Sequence, residues 1–124
     1  MLVVLIVDDN DGNRKLARDL LGEAGFRTLE ASTGADAIAL ASEHAPDVVL
    51  MDLRLPDIDG AEAARRLGDD KRTAAIPVVA LSALSLEGND DWLQATGFAG
   101  WLEKPIQVAT FAEQVRSYCS EATR

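Results

Sequence analysis

Three observations predict an α/β fold for this 124-residue chain: (βα)5, a doubly wound layer structure around a parallel five-stranded sheet. Short apolar runs rich in β-branched residues alternate with segments whose apolar residues recur at helical spacing, and the alternation repeats five times. The runs lack polar alternation, as parallel strands do when helices cover both faces. Four of them also stop at a residue able to do chemistry: Val3 to Val7 at Asp8-Asp9, Val48 to Met51 at Asp52, Val78 to Leu81 at Ser82, and Trp101-Leu102 just before Lys104. Open α/β sheets place their ligands at that edge, outside the carboxyl ends of the strands.

The elements follow in order. Leu2 to Val7 reads as the first strand, and Leu16, Leu20 and Leu21 then mark a helix that Gly25 ends. Thr28 to Ala31 is a second strand, followed by a helix on Ala37, Ile38, Leu40 and Ala41 that Pro46 closes. Val48 to Met51 is the third strand. Gly60 opens a helix through Ala63, Ala64 and Leu67, with a polar loop from Gly68 to Thr73. Ile76 to Leu81 is the fourth strand, Ser85 to Thr96 a weaker helix, Phe98 to Leu102 the fifth strand and Val108 to Tyr118 the last helix. Short connections and the lack of low-complexity sequence predict a single domain over 1–124.

Composition excludes several function classes. The net charge is −9, from 21 acidic and 12 basic residues. That balance disfavours nucleic acid, whose binding depends on neutralising phosphates with Lys and Arg. Proteins, cations or both are the expected partners. No apolar run approaches the roughly 20 residues that span a bilayer, and no basic signal-type start precedes the first strand, so a cytoplasmic protein is expected. Cys119 cannot form an internal disulfide and reads as a half-buried helix residue. His44, alone of its kind, reads as a capping or surface residue at the end of the second helix, remote from the catalytic edge.

Among doubly wound orders, 2-1-3-4-5 sets strands 1 and 3 side by side at the switch point. Asp8, Asp9 and Asp52 then fall within a few ångströms of one another, where three carboxylates repel unless a cation sits among them. A hard ion with oxygen ligands, Mg²⁺ above all, resolves the conflict. Lys104 adds a point charge suited to an anion. Each residue has a blander reading: an aspartate pair as a helix N-terminal signal, Asp52 as a loop residue, Ser82 as a cap, Lys104 as a solvated lysine. Their coincidence at one sheet edge outweighs these.

Four motifs make the pattern specific: V-D-D-N at 7–10, M-D-L-R-L-P-D-I-D-G at 51–60, A-L-S-A at 80–83 and W-L-E-K-P-I at 101–106. Over the whole chain the sequence resembles the CheY-like receiver domain of two-component response regulators, which has a flavodoxin-like fold. The segments K-P-I, I-P-V-V-A-L-S-A and D-L-L-G-E-A-G look most like single-domain receivers of the DivK type.

The resemblance implies that Asp52 is the phosphoacceptor, taking a phosphoryl group from a sensor histidine kinase or a histidine phosphotransfer protein. It implies that Asp9 ligates Mg²⁺ directly and Asp8 mainly through water, with Asp52 and the backbone carbonyl of Arg54 completing the protein ligands. Ser82 and Lys104 would contact phosphoryl oxygens. Pro105 would follow a cis Lys104 peptide bond. Ser82 and Trp101 would form the switch pair, although tyrosine or phenylalanine is more usual at the aromatic position. Indole needs more room to turn inward, and a fixed edge residue is the alternative reading of Trp101. Arg54 and Leu84 flank the path of attacking water, and Leu84 cannot orient it, so slow self-dephosphorylation is expected.

The resemblance places the output surface on helix 4, strand 5 and helix 5. Ala99 and Gly100 stand where dimerising regulators carry acidic residues, which disfavours that kind of dimer. Trp92 reads as an interface anchor or a packing residue. Kinase choice would rest on Asn13, Arg14, Leu16 and Ala17. The expected function is a non-enzymatic phosphoacceptor that signals to a protein partner, with no membrane or nucleic-acid contact. A receiver excised from a hybrid histidine kinase or a larger regulator is the alternative. A pseudo-receiver that persists without phosphorylation is another. A haloacid dehalogenase-type phosphohydrolase is remote, because Arg54 stands where such enzymes carry a second aspartate.

Overall fold

The computed structural model describes residues 1–119. Ten elements alternate along the chain: β1 (Val3–Val7), α1 (Asp11–Glu23), β2 (Arg27–Ala31), α2 (Gly34–His44), β3 (Val48–Asp52), α3 (Gly60–Asp69), β4 (Val78–Ser82), α4 (Asp90–Thr96), β5 (Gly100–Glu103) and α5 (Phe111–Tyr118). The strands form one parallel sheet in the order β2-β1-β3-β4-β5, the doubly wound order expected.

Successive strand residues point to opposite faces, and the two faces are covered by different helices. Val4, Ile6, Val48, Leu50, Val79 and Leu81 pack against α1 and α5 through Ala17, Leu21, Phe111 and Val115. Leu5, Val7, Val49, Met51, Val78 and Ala80 pack against α2, α3 and α4, where Ala37, Ala41, Ala63, Ala64, Leu67 and Leu93 are buried. The central strands β3 and β4 are buried throughout, whereas the edge strand β2 keeps Arg27 exposed and Thr28, Leu29 and Glu30 only partly covered. Strands apolar on both faces therefore describe the middle of the sheet and not that edge.

The C-terminal half departs from the sequence reading at several boundaries. Helix α4 begins at Asp90, not Ser85, because the preceding residues form turns: Ser85 Oγ accepts from the Glu87 amide at 3.2 Å, Asn89 N donates to Leu86 O, and Gly88 sits at φ +83°. Gly97 at φ +101° closes α4, and the Phe98 amide donates to Leu93 O, so Phe98 belongs to the helix end and β5 starts at Gly100. A turn on Gln107, whose carbonyl accepts from Thr110 and Phe111, delays α5 to Phe111. Helix α3 runs two residues past Leu67, since buried Thr73 donates to the Leu67 carbonyl at 2.6 Å and secures that end.

Candidate functional site

Strand register brings the polar residues together. Val7 pairs with Met51, so Asp8 and Asp52 leave adjacent strands side by side; Ser82 pairs with Glu103, which sets Lys104 next to Ser82. The Lys104 amide extends that ladder by donating to Ser82 O at 2.7 Å. Asp8, Asp9, Asp52, Arg54, Ser82, Leu84 and Lys104 all line one cleft of about 530 Å³, together with Asn10 and Asn13.

Lys104 Nζ is the hub, 2.8 Å from Asp8 Oδ2 and 2.9 Å from Asp52 Oδ2. Burial works against its ammonium, but the two carboxylates outweigh that effect and hold its pKa above the ordinary lysine value. Asp8 is buried with every carboxylate partner supplied: Oδ1 accepts from the Asn10 amide at 2.9 Å, and Oδ2 also accepts from Asn13 Nδ2 at 3.3 Å. Asp52 Oδ1 accepts from the Arg54 amide at 3.0 Å. Ser82 Oγ accepts from the Leu84 amide at 3.1 Å.

One oxygen from each of Asp8, Asp9 and Asp52 lies within 4.8 Å of the others. Lys104 compensates one charge of the three. Asp9 is exposed and its carboxylate has no hydrogen bond or ion pair among the described residues. An uncompensated set of hard oxygen donors with one free carboxylate suits a cation such as Mg²⁺.

Local sequence explains the mounting. Asn10 caps α1 by accepting from the Asn13 amide, which turns the chain sharply after Asp9. Asp59 caps α3 in the same way through the Glu62 amide. Gly60, next to it, has no room for a β-carbon, which would collide with the Asp52 carbonyl oxygen and the Leu53 backbone. The N-terminus of α3 thus rests directly on the end of β3.

Other residues singled out in the sequence lie elsewhere. Trp101 is outside the cleft, half-buried against the α2/α3/α4 core, and lines a groove along β5 and α5 with Pro105, whose peptide bond to Lys104 is cis. Leu84 stands at the cleft rim, 71% exposed, so it fringes the opening without sealing it. Arg54 forms no ion pair with Asp9 among the described residues. Trp92 is both partly exposed and packed, its ring tilted against Phe98 at 5.9 Å. His44 ends α2 beside Glu43, and Cys119 is buried just past α5. No helix among the described residues is long and apolar enough to cross a membrane.

Two contacts escaped the sequence reading. Asp57, within the P-D-I-D-G motif, accepts from the Gly34 and Ala35 amides at 2.8 and 2.9 Å and so caps α2 from 23 residues away. Arg14 donates to the Asp8 carbonyl. Neither has a local signature, because each joins a side chain to a distant or non-sequential backbone group.

A doubly wound sheet with an acidic cleft and an inward lysine at its carboxyl edge defines a receiver of the two-component type. The chain belongs to the response regulator receiver domain family, whose model matches residues 4–116. It is 40% identical to the polar-differentiation response regulator DivK of Brucella ovis over 119 residues, 96% of this chain and 97% of that protein. DivK of Brucella anthropi matches to the same extent. The fold is similar to chemotaxis protein CheY4 of Vibrio cholerae, with a TM-score of 0.88, 26% identity, and 95% and 98% of the two chains covered. It is also similar to the receiver domain of the sensor histidine kinase PA1611 of Pseudomonas aeruginosa, with a TM-score of 0.84, 28% identity, and 94% and 96% covered. That structure holds a magnesium ion in its active-site cleft.

Proposed function

We propose that this receiver, read as one unit over 1–124, accepts a phosphoryl group on Asp52 from a phosphohistidine of a sensor kinase or phosphotransfer protein. A carboxylate oxygen of Asp52 attacks phosphorus, the phosphorus–nitrogen bond breaks, and the imidazole leaves as a neutral base once protonated. Asp8, Asp9, Asp52 and the Arg54 carbonyl would hold Mg²⁺, which when bound neutralises charge on the phosphoryl oxygens. Lys104 is already within the cleft to pair with one such oxygen, and the Ser82 hydroxyl, which only accepts in this structure, retains its proton for another. The group stays on the protein, so the chain turns over no external substrate, and the output is read by a protein partner on the α4–β5–α5 face with Ser82 and Trp101 as the switch pair.

The observation that carries this reading is Lys104 Nζ shared between Asp8 and Asp52 beside an unpartnered Asp9. Intact mass after incubation with acetyl phosphate tests it. A single phosphoryl adduct is expected that requires Mg²⁺ and vanishes in Asp52→Asn; no adduct in Mg²⁺, or an adduct that survives Asp52→Asn, overturns it. Because the Leu84 side chain has no group to orient a water for attack, the adduct should decay slowly and Leu84→Asn should shorten its half-life. An unchanged half-life in Leu84→Asn would remove position 84 from control of that step.

A further inference from the structure

Next to the cleft, one half-buried cation is turned toward the backbone of Asp8 and not toward the site's carboxylates. Arg14, in the first turn of α1, keeps only 17% of its side chain exposed. Its Nη1 donates to the Asp8 carbonyl at 2.7 Å, its Nε donates to Glu30 Oε1 on β2 at 3.3 Å, and its Nη2 pairs with Asp11. Glu30 is itself held from the other side, its Oε2 accepting from Arg18 Nη1 at 3.0 Å. The Asp8 amide donates to Ala31 O, also on β2, at 3.1 Å. Both polar backbone atoms of Asp8 are therefore tied to the β2 end, the amide directly and the carbonyl through Arg14.

The neighbour of that carbonyl is Asp9. Its carboxylate has no partner of its own among the described residues, so only the backbone mounts it, and the Asp8–Asp9 peptide, whose oxygen Arg14 grips, sets where its side chain leaves the chain. A guanidinium suits this task, since it donates from a rigid fork to a carbonyl and a carboxylate at once.

We propose that Arg14 is a positioning residue for the cation-binding carboxylate of Asp9, anchored on β2 by Glu30. The chain from the Asp8 carbonyl through Arg14 to Glu30 holds the peptide plane from which Asp9 projects, so that the cation meets a carboxylate mounted on a fixed backbone. The inference rests on the magnesium reading above and assigns part of that site's affinity to a residue outside it. A carboxylate on a freely turning peptide has to be ordered on binding, and that ordering weakens affinity. Partners that orient metal ligands typically contribute tenfold to a hundredfold in metal affinity.

Calorimetric titration with Mg²⁺, paired with thermal unfolding, separates positioning from a merely structural ion pair. Arg14→Ala is expected to raise the Mg²⁺ Kd about tenfold or more, and Arg14→Lys and Glu30→Gln by smaller factors. Arg18→Ala, which also removes a partner of Glu30 but leaves the Asp8 carbonyl held, should stay within about twofold of the unaltered chain, well short of that loss. An Arg14→Ala protein that melts earlier yet binds Mg²⁺ as tightly as the unaltered chain overturns the proposal, as does an equal loss in Arg18→Ala. If Arg14→Ala does not fold, Arg14→Lys decides: weakened binding supports the proposal, full affinity overturns it. An unaltered chain that binds no Mg²⁺ would instead overturn the magnesium reading, and the inference would fall with it.

Discussion

The two halves of this domain are held together differently. In the first half, α1, α2 and α3 each start at a side-chain cap, Asn10, Thr33 and Asp59, and Asp57 adds a second cap to α2. In the second half, α4 and α5 have no side-chain cap bond, α4 is only seven residues long, and β5 is a four-residue edge strand with one buried position. The acidic residues of the cleft come from the first half; Ser82 and Lys104, the groups proposed to meet an incoming phosphoryl group, come from the second. A receiver needs a fixed acceptor and a responsive remainder, and regions of low local stability are the ones that move. The division of caps matches that need.

The largest break in this contrast comes from the core. Leu50→Ala, in fully buried β3, should cost about 2–5 kcal/mol in urea denaturation, and Leu102→Ala on the edge strand should fall toward the low end of that range because its surroundings can collapse. Equal or reversed costs would mean that the edge is packed as rigidly as the centre. Next come the caps. Asp59→Ala should cost about 1 kcal/mol, whereas Asn89→Ala, at the uncapped start of α4, should cost less than about 0.5 kcal/mol. Hydrogen exchange read on the same proteins sharpens the comparison, with α4 amides exchanging faster than those of α3.

The smallest effect is a dependence on acid. The Gly34 and Ala35 amides, joined by that of Ile58, pull the Asp57 carboxyl from 3.8 down to about 2. A depressed folded-state pKa stabilises the fold fully above the unfolded value and loses that contribution as pH falls through the folded one. The stability difference between Asp57→Asn and the unaltered chain should therefore be constant above about pH 4 and shrink toward pH 2. A difference that does not change across that window would show that the amides stabilise the neutral and charged forms alike.

The same asymmetry governed what the sequence made legible. Strands β1 and β3 end where an apolar run meets aspartate, so their limits to within a residue, and the convergence of Asp8, Asp9 and Asp52, could be read from pattern alone. The limits of α4, β5 and α5 were misplaced because Ser85, Gly88, Gly97 and Gln107 decide them through turns, which leave little trace in hydrophobic spacing. Within the cleft, Ser82 and Lys104 were legible as strand-end residues. The Arg14 and Asp57 contacts were not, since a side chain that bonds a backbone carbonyl six residues back, or amides 23 residues away, leaves no periodicity to betray it.

Lys104 reaches Asp8 across 96 residues and Asp52 across 52. A chain emerging from the ribosome therefore carries Asp8, Asp9 and Asp52 well before the lysine that compensates one of their three charges exists. Until β5 has been made and has taken its place at the sheet edge, the carboxylates repel one another and the cleft is chemically unfinished. If Asp52 receives a phosphoryl group as proposed, truncated copies that end before residue 104 would lack the lysine that closes its site.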